Sequence, residues 1–550
     1  MAKSNISKAI EKELSKRRLF YVTRDLERAA ESLDIKNYHI ITNRTPFAQK
    51  LAKEHTNIYL IPNKNSDEQL DTAALLEHKK TKSIIQKNDC VLVFKNTTRI
   101  EEACQTNGWA PLNPSAALAN TVEEKISQVT WLGELEKLLP EHKIDICQNL
   151  HWRWKKFILQ FNHSHTGTGT VFIDSKKTLE EIKKKFPLRD ARVSEFIEGP
   201  IFTNNNLVWG NKILFGNINY QITGLSPFTD NKFATIGNDW ALPHKLLTKK
   251  QAKDYKNMAE AVGRKLLTQG WKGLFGIDAV LDQKTGKFYL IEINARQPAS
   301  TTYESTLQSR FKKTANEATT FEAHLASLLG INPNGYKLTI IFDGAQILQR
   351  VTTKIAEIKD LKIKTTTQFN IIKYQNSKIG SDLARIQSEK GIMEKHRTFN
   401  INGKAILVAI ISAQKAALWK VKRAGIILIK HKKILLIKRN KYGNQYYAMP
   451  GGTVEPNESV EQSAKREITE ETNLKFKIDP TRKPIHIYSP REEYYFFGTH
   501  VRGKAELGGP EKLRNDENNS YELQWIPTDK LEKINLIPEI LKQNLIKALV

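Results

Sequence analysis

The sequence predicts a multidomain chain of mixed α/β and α+β class, and three observations carry that prediction. Short apolar runs of strand length alternate with helical stretches over residues 1–110. Two apolar strands flank the turn-forming Asp282-Gln-Lys-Thr-Gly286, a β-hairpin pattern. A fresh α/β pattern then begins at Ala424. A length of 550 residues accommodates about three to four domains at roughly 150 residues each. The apolar fraction of 40% and charged fraction of 26% are globular values, and they exclude a disordered or fibrous chain.

In chain order, Leu19–Val22, Tyr38–Ile41, Ile58–Ile61 and Val91–Phe94 read as strands. Arg24–Leu33 and Pro46–His55 read as the helices between them, which predicts a parallel sheet. No Gly-rich phosphate loop follows the first strand, so a dinucleotide site is not expected there. Residues 111–330 read as mixed α+β. Phe157–Phe161 and Thr170–Ile173 form a hairpin around a Gly/Thr/His loop, and Lys250–Gln269 is a helix. Gly276–Leu281 and Phe288–Ile293 are the strands of the second hairpin. Residues 331–420 alternate apolar and polar in Lys337–Phe342 and Thr367–Tyr374, which predicts a small β-rich appendage or linker. Residues 421–550 form the last unit.

The charge balance is 86 Lys and Arg against 59 Asp and Glu, a net +27. The excess is densest in 331–420, with 15 basic residues against 6 acidic. Such a surface favours polyanions. It is equally the solvated basic face of a Lys-rich chain, and no nucleic-acid motif accompanies it. His151-Trp-Arg-Trp-Lys-Lys156 alone interleaves aromatic and basic residues, and it reads first as an element edge packing two tryptophans. Cys90, Cys104 and Cys147 make no disulfide framework and fit no zinc spacing. The longest nearly apolar run, Ala405–Ala413, is far below the roughly 18 residues of a membrane span. The charged N-terminus lacks a signal-peptide core. The expectation is a cytoplasmic protein with no membrane partner.

Gly452 to Leu474 carries a Gly, five residues, a Glu, seven residues, then Arg-Glu-Ile-x-Glu-Glu. Glu467, Glu470 and Glu471 fall at i, i+3 and i+4, so their carboxylates share a helix face. Like charges so crowded repel, and Mg²⁺ relieves the repulsion by taking oxygen ligands. The alternative is a solvated acidic helix face. Arg466 is placed to hold a carboxylate bidentately. The segment resembles the Nudix box at Gly452, Glu458, Arg466, Glu467, Ile468, Glu470, Glu471 and Leu474. Asn473 departs from the family's usual Gly, at a helix end where Asn is the next-best left-handed residue. The resemblance implies an α/β/α sandwich hydrolase over 421–550 that cleaves nucleoside diphosphates linked to another group. It implies Glu467, Glu470 and Glu471 as ligands of Mg²⁺ or Mn²⁺, one of them serving as base. Glu492 and Glu493 are further ligand candidates or surface residues.

Gly276-Ile-Asp-Ala-Val-Leu-Asp282 and Phe288-Tyr-Leu-Ile-Glu-Ile-Asn-Ala-Arg296 place Glu292, Asn294 and Arg296 on one strand face. Asp278 lies on the neighbouring strand. The alternative is a Glu292–Arg296 ion pair on a structural hairpin. The pattern resembles the metal hairpin of the ATP-grasp superfamily, which implies Asp278, Glu292 and Asn294 as magnesium ligands and Arg296 meeting phosphate. Val193-Ser-Glu-Phe-Ile-Glu-Gly-Pro200 resembles that family's adenine linker, with Glu195 and the Ile197 backbone reading the base. His163–Thr170 resembles its phosphate-covering loop, through Gly167 and Gly169. Lys125 corresponds to one usual phosphate lysine, whereas Gln160 stands where many relatives carry another. Ile201 stands where some carry a ribose-binding carboxylate.

The resemblance implies an ATP-grasp fold over 111–330, preceded by the usual α/β domain over 1–110. It implies ATP-dependent joining of a carboxylate to an amine or thiol through an acyl-phosphate. The whole chain reads as a bifunctional enzyme, a ligase followed by a hydrolase. One alternative is a hydrolase whose ATP-grasp part only binds ATP and regulates. Another is a basic nucleic-acid-binding protein acting on RNA ends.

Overall fold

The computed structural model describes residues 4–549 except 63–68, 153–155, 163–169, 353–354, 356, 359–360, 364, 366, 375, 377–378, 421, 442–443, 456–457, 489–490, 514 and 516–518. The chain divides into two compact units, 1–408 without 357–361 and 409–550 with 357–361. The helix Ile401–Lys420 holds the long apolar run. No helix of the described residues is long and apolar enough to cross a membrane.

In the larger unit, Leu19–Val22, Tyr38–Asn43, Ile58–Ile61 and Cys90–Val93 form a parallel sheet with the short strand Ala110–Pro111. Both faces are buried, which is why these strands read as unbroken apolar runs rather than alternations. Leu19 and Tyr21 face one core, Phe20 and Val22 the other. The helix expected over Arg24–Leu33 is replaced by two 3-10 turns, Leu26–Arg28 and Ala30–Ser32. Asp25 caps no helix there, because its carboxylate accepts from the Arg24 and Arg28 side chains.

A four-stranded antiparallel sheet follows, in the order His142–Ile146, Asp190–Glu195, Phe157–Gln160, Thr170–Ile173. Trp152 packs on Phe157 with ring centroids 5.6 Å apart, while Trp154 lies outside the described residues. The largest sheet of this unit has nine strands. It runs from the hairpin Phe288–Asn294 and Gly273–Leu281 through Ile201–Trp209, Asn219–Thr223 and Thr235–Asp239. It then continues into Ala345–Arg350, Asp382–Ser388 and Phe369–Lys373. Three strands of residues 331–420, a segment expected as a β-rich appendage or linker, thus extend this sheet. The alternation at Lys337–Phe342 yields only Lys337–Leu338, paired with Glu317–Ala318.

Helix Thr320–Leu328 covers the sheet and buries His324, whose Nδ1 accepts from the Leu274 amide at 3.1 Å. Burial alone pushes this imidazole down to about 3. An unfolded His324 titrates near 6.5, so the unfolded state takes up a proton first as pH falls. Stability is full above about pH 6.5 and is lost progressively toward pH 3. Between pH 6.5 and 5 the expected loss is about 2 kcal/mol. Urea unfolding of the parent and His324→Asn across this range checks it; equal pH slopes would remove His324 as the cause.

In the smaller unit, strand Arg423–Lys430 lies at the centre of a nine-stranded mixed sheet. Ala424, Ile426 and Leu428 face Ala464 and Ile468 of helix Val460–Thr472. Ile427 faces the other way, into the cluster holding Leu541 and Leu545 of helix Glu539–Leu549. The expected α/β/α sandwich is the fold observed.

Candidate functional sites

The larger unit holds a cavity of about 1050 Å³. It brings together Lys125, Gln160, Glu195, Ile197, Asp278, Glu292 and Arg296 from separate parts of the sequence. Gly167 and Gly169 lie outside the described residues. Asn294 does not line the cavity; it is buried, and its amide oxygen accepts from Arg296 Nη2 at 2.6 Å.

Hairpin pairing places Asp278 directly opposite Glu292. Gly286 closes the hairpin with a positive φ of 69°, and its N–H donates to Asp282 O. Asp278 is buried, and Gln221 donates to it at 3.2 Å. Burial and the neighbouring Glu292 push its carboxyl up. Burial acts the same way on Glu292, but Lys125 and Arg296 outweigh it and leave Glu292 below the usual carboxylate range. Lys125 Nζ sits 3.1 Å from Glu292 Oε1. The lysine is held there because the Ile126 amide donates to Asn162, which in turn donates to Glu124. Arg296 Nε also pairs with Glu123 at 3.1 Å.

The linker after Glu195 is tied to the hairpin, since the amides of Leu281 and Gln283 donate to Pro200 O and Glu198 O. A side chain at Gly199 would collide with Leu281 O, so this crossing requires glycine. Several cavity residues escaped sequence reasoning. Arg192 sits beside Gln160, and His396 and Arg397 arrive from the 331–420 segment. The pairing of Gln160 with Arg192 is a strand register, and no local sequence signal announces it.

In the smaller unit, helix Val460–Thr472 starts at Ser459 with a capping box to Gln462. It ends at Asn473 with φ 54°, the left-handed conformation expected of that residue. Glu467, Glu470 and Glu471 crowd its C-terminal end, where the helix dipole already disfavours negative charge. Arg466 meets all three surrounding carboxylates. It grips Glu458 bidentately at 3.2 and 2.7 Å, and lies 2.9 Å from Glu467 and 3.5 Å from Glu470. The Arg466 hydrogen bonds hold the Glu458 carboxyl down at about 2. Gly452 passes under Glu467, and a Cβ there would collide with that carboxylate.

Glu471 points elsewhere. It is buried and accepts from the Gly451 amide at 2.7 Å, and burial pushes it up to about 8. Burial also raises Glu467. Half-buried Arg423, not singled out from sequence, lies near Glu471 and Glu493 and donates to Met449 O. Glu493 is buried against Arg491 and Tyr495, whereas Glu492 is held by Tyr494 and by His486. Among the described residues no three His, Cys, Asp or Glu side chains already converge as a metal cage. The donors present are carboxylate oxygens, the type that Mg²⁺ takes alongside water and phosphate oxygens.

A family model described as a NUDIX domain matches residues 419–545, and one described as an ATP-grasp domain matches residues 122–300. A putative 8-oxo-dGTP diphosphatase of Bacillus subtilis is 38% identical over 110 residues, covering 19% of this chain. The chain spans 65% of that relative's length. An 8-oxo-dGTP diphosphatase of Buchnera aphidicola is 30% identical over 112 residues, 20% of this chain and 78% of the relative. Similar solved structures include an L-amino acid ligase from Bacillus licheniformis (TM-score 0.49, 11% identity, 68% of this chain and 93% of that one). They also include an Aspergillus clavatus carboxyaminoimidazole ribonucleotide synthase complexed with ATP (TM-score 0.49, 13% identity, 72% and 98%).

Proposed function

From the premise that this chain belongs to the Nudix family through residues 419–545 and carries an ATP-grasp domain over 122–300, we propose a cytoplasmic enzyme with two activities. The C-terminal unit hydrolyses a nucleoside diphosphate-linked substrate, and the ATP-grasp part joins a carboxylate to an amine or thiol. The observation that carries the second half is the single cavity uniting Lys125, Glu195, Ile197, Asp278, Glu292 and Arg296.

In the ATP-grasp cavity, Glu195 and the Ile197 backbone bind the adenine. Lys125 and Arg296 carry the positive charge that meets phosphate oxygens. Asp278 and Glu292 hold Mg²⁺ (or Mn²⁺), with the remaining positions left to phosphate and water. Asn294 orients Arg296 through its amide oxygen. In the Nudix unit Glu467 and Glu470 hold the cation, with Glu471 behind them. Arg466 fixes Glu458 and Glu467 so that the acidic face keeps its shape. At both sites the bound cation supplies charge neutralisation of phosphate oxygens, and at the second an activated water.

The test pairs two screens on the full chain. ATP-dependent phosphate release is measured across amino acids, peptides and small amines. Nucleotide hydrolysis is measured across nucleoside diphosphate derivatives and 8-oxo-dGTP, with and without Mg²⁺. Metal-dependent turnover in each screen supports the reading. Hydrolysis without any ATP-dependent phosphate release would reduce the ATP-grasp part to binding alone.

A further inference from the structure

Arg192 alone among the Lys and Arg side chains lining the cavity is buried, and no salt bridge holds it within the described residues. It is 3% exposed. Strand pairing sets it directly opposite Gln160. Its Nε and Nη2 both donate to Gln160 Oε1, at 3.2 and 2.6 Å. Gln160 is locked in that orientation, because its own amide nitrogen donates to Thr170 Oγ1 at 3.3 Å. The third nitrogen, Nη1, is buried and has no hydrogen-bond partner among the described residues. The nearby carboxylate of Glu292 is already engaged by Lys125.

A buried charge left half-satisfied costs several kcal/mol unless a counter-charge arrives. Burial lowers the guanidinium only to about 10, so it stays cationic at neutral pH. Arg192 lines the cavity, so an anion bound there would lie beside its charge. Arg192 precedes Glu195 by three residues on one strand, a span of roughly 10 Å. Both residues line the one cavity.

We propose that Arg192, oriented by Gln160, is a third phosphate-binding cation of this nucleotide site beside Lys125 and Arg296, and takes an oxyanion of the polyphosphate on its guanidinium. The proposal rests on the reading of the cavity as a nucleotide site. It resolves the absence of a positive charge at Gln160. A lysine at 160 would press a second cation against Arg192 and remove the oxygen that orients it. The Gln160–Arg192 pair and a lysine at 160 are therefore mutually exclusive solutions to one electrostatic requirement.

That exclusivity supplies the test, by calorimetry on the full chain with Mg·ATP, adenosine and inorganic tripolyphosphate. Arg192→Gln is expected to weaken ATP and tripolyphosphate roughly 10- to 100-fold, as for loss of a charged hydrogen bond. Adenosine binding is expected to stay at the parent value. The double variant Gln160→Lys/Arg192→Gln is expected to regain most of the ATP affinity. Parent-like ATP binding by Arg192→Gln overturns the proposal, as does a folded double variant that stays as weak as the single one. If Arg192→Gln fails to fold, the double variant decides alone: recovered binding supports the proposal and absent binding overturns it. A parent that binds tripolyphosphate in an Arg192-dependent way but not adenosine keeps the anion site and sinks the adenine assignment. A parent that binds neither overturns both.

Discussion

Glu470→Gln is expected to abolish most metal-dependent hydrolysis by the Nudix unit and to leave its fold intact. The side chain is nearly half exposed, and its only ion pair among the described residues is the 3.5 Å approach to Arg466. Amide for carboxylate keeps the volume and removes the charge. A metal ligand's share of transition-state stabilisation is several kcal/mol, and each 1.36 kcal/mol is a decade in rate. A fall of at least about 100-fold in the rate constant follows. Glu467 is a poorer test, because it also holds Arg466 over Gly452. Glu461→Gln is the control. It removes a carboxylate of the same helix that, among the described residues, pairs with exposed Lys465 alone. Parent-rate hydrolysis in the Glu470 variant, with the Glu461 variant also active, would reduce the acidic face to a solvated surface.

Glu292→Gln is expected to erase the Mg²⁺ dependence of ATP binding and to stop ATP-driven phosphate release. In the parent, Glu292 is paired with Lys125 and faces Asp278. Neutralising it removes one of two carboxylates available to a cation and frees Lys125 for phosphate. Metal-free ATP should then bind at least as well as to the parent, while added Mg²⁺ should give no further gain. The loss in turnover should reach about 100-fold or more, because charge on the transferred phosphoryl group loses its clamp. ADP without metal should bind as in the parent, since Glu195 and Ile197 are untouched. Calorimetry with and without Mg²⁺ separates these expectations. An undiminished Mg²⁺ effect would make the hairpin purely structural.

How much of this was legible depends on the range of the interaction. The parallel strands announced themselves because both faces are buried and the runs are continuous. The hairpin and the Nudix helix were legible because turn chemistry, capping and i, i+3, i+4 spacing are local. The left-handed conformation of Asn473 belongs to that local class. Arg192 was not legible: its partner Gln160 is 32 positions away, joined only by strand register. The strand Ile201–Trp209 was equally hidden. Its Asn204, Asn205 and Asn206 carry no strand signal, yet all three are buried. Glu304 and Ser300 bond to Asn205, Tyr255 donates to Asn204, and Asn204 and Asn206 bond to one another. Arg24–Leu33 shows the reverse error, since its local helical pattern lost to ion pairs around Asp25.

The continuation of the nine-stranded sheet past residue 330 governs where this chain tolerates being cut. Strand Thr235–Asp239 is paired on one side by Asn219–Thr223 and on the other by Ala345–Arg350. Ending the chain at 330 would strip the second partner and leave a row of backbone donors and acceptors open along Gly237–Asp239. An unprotected edge of that kind recruits strands from other molecules. The same cut would take away His396 and Arg397 from the cavity wall. A shortened ATP-grasp part is therefore expected to self-associate before it can be assayed, and a tractable fragment must carry its own sheet edge with it.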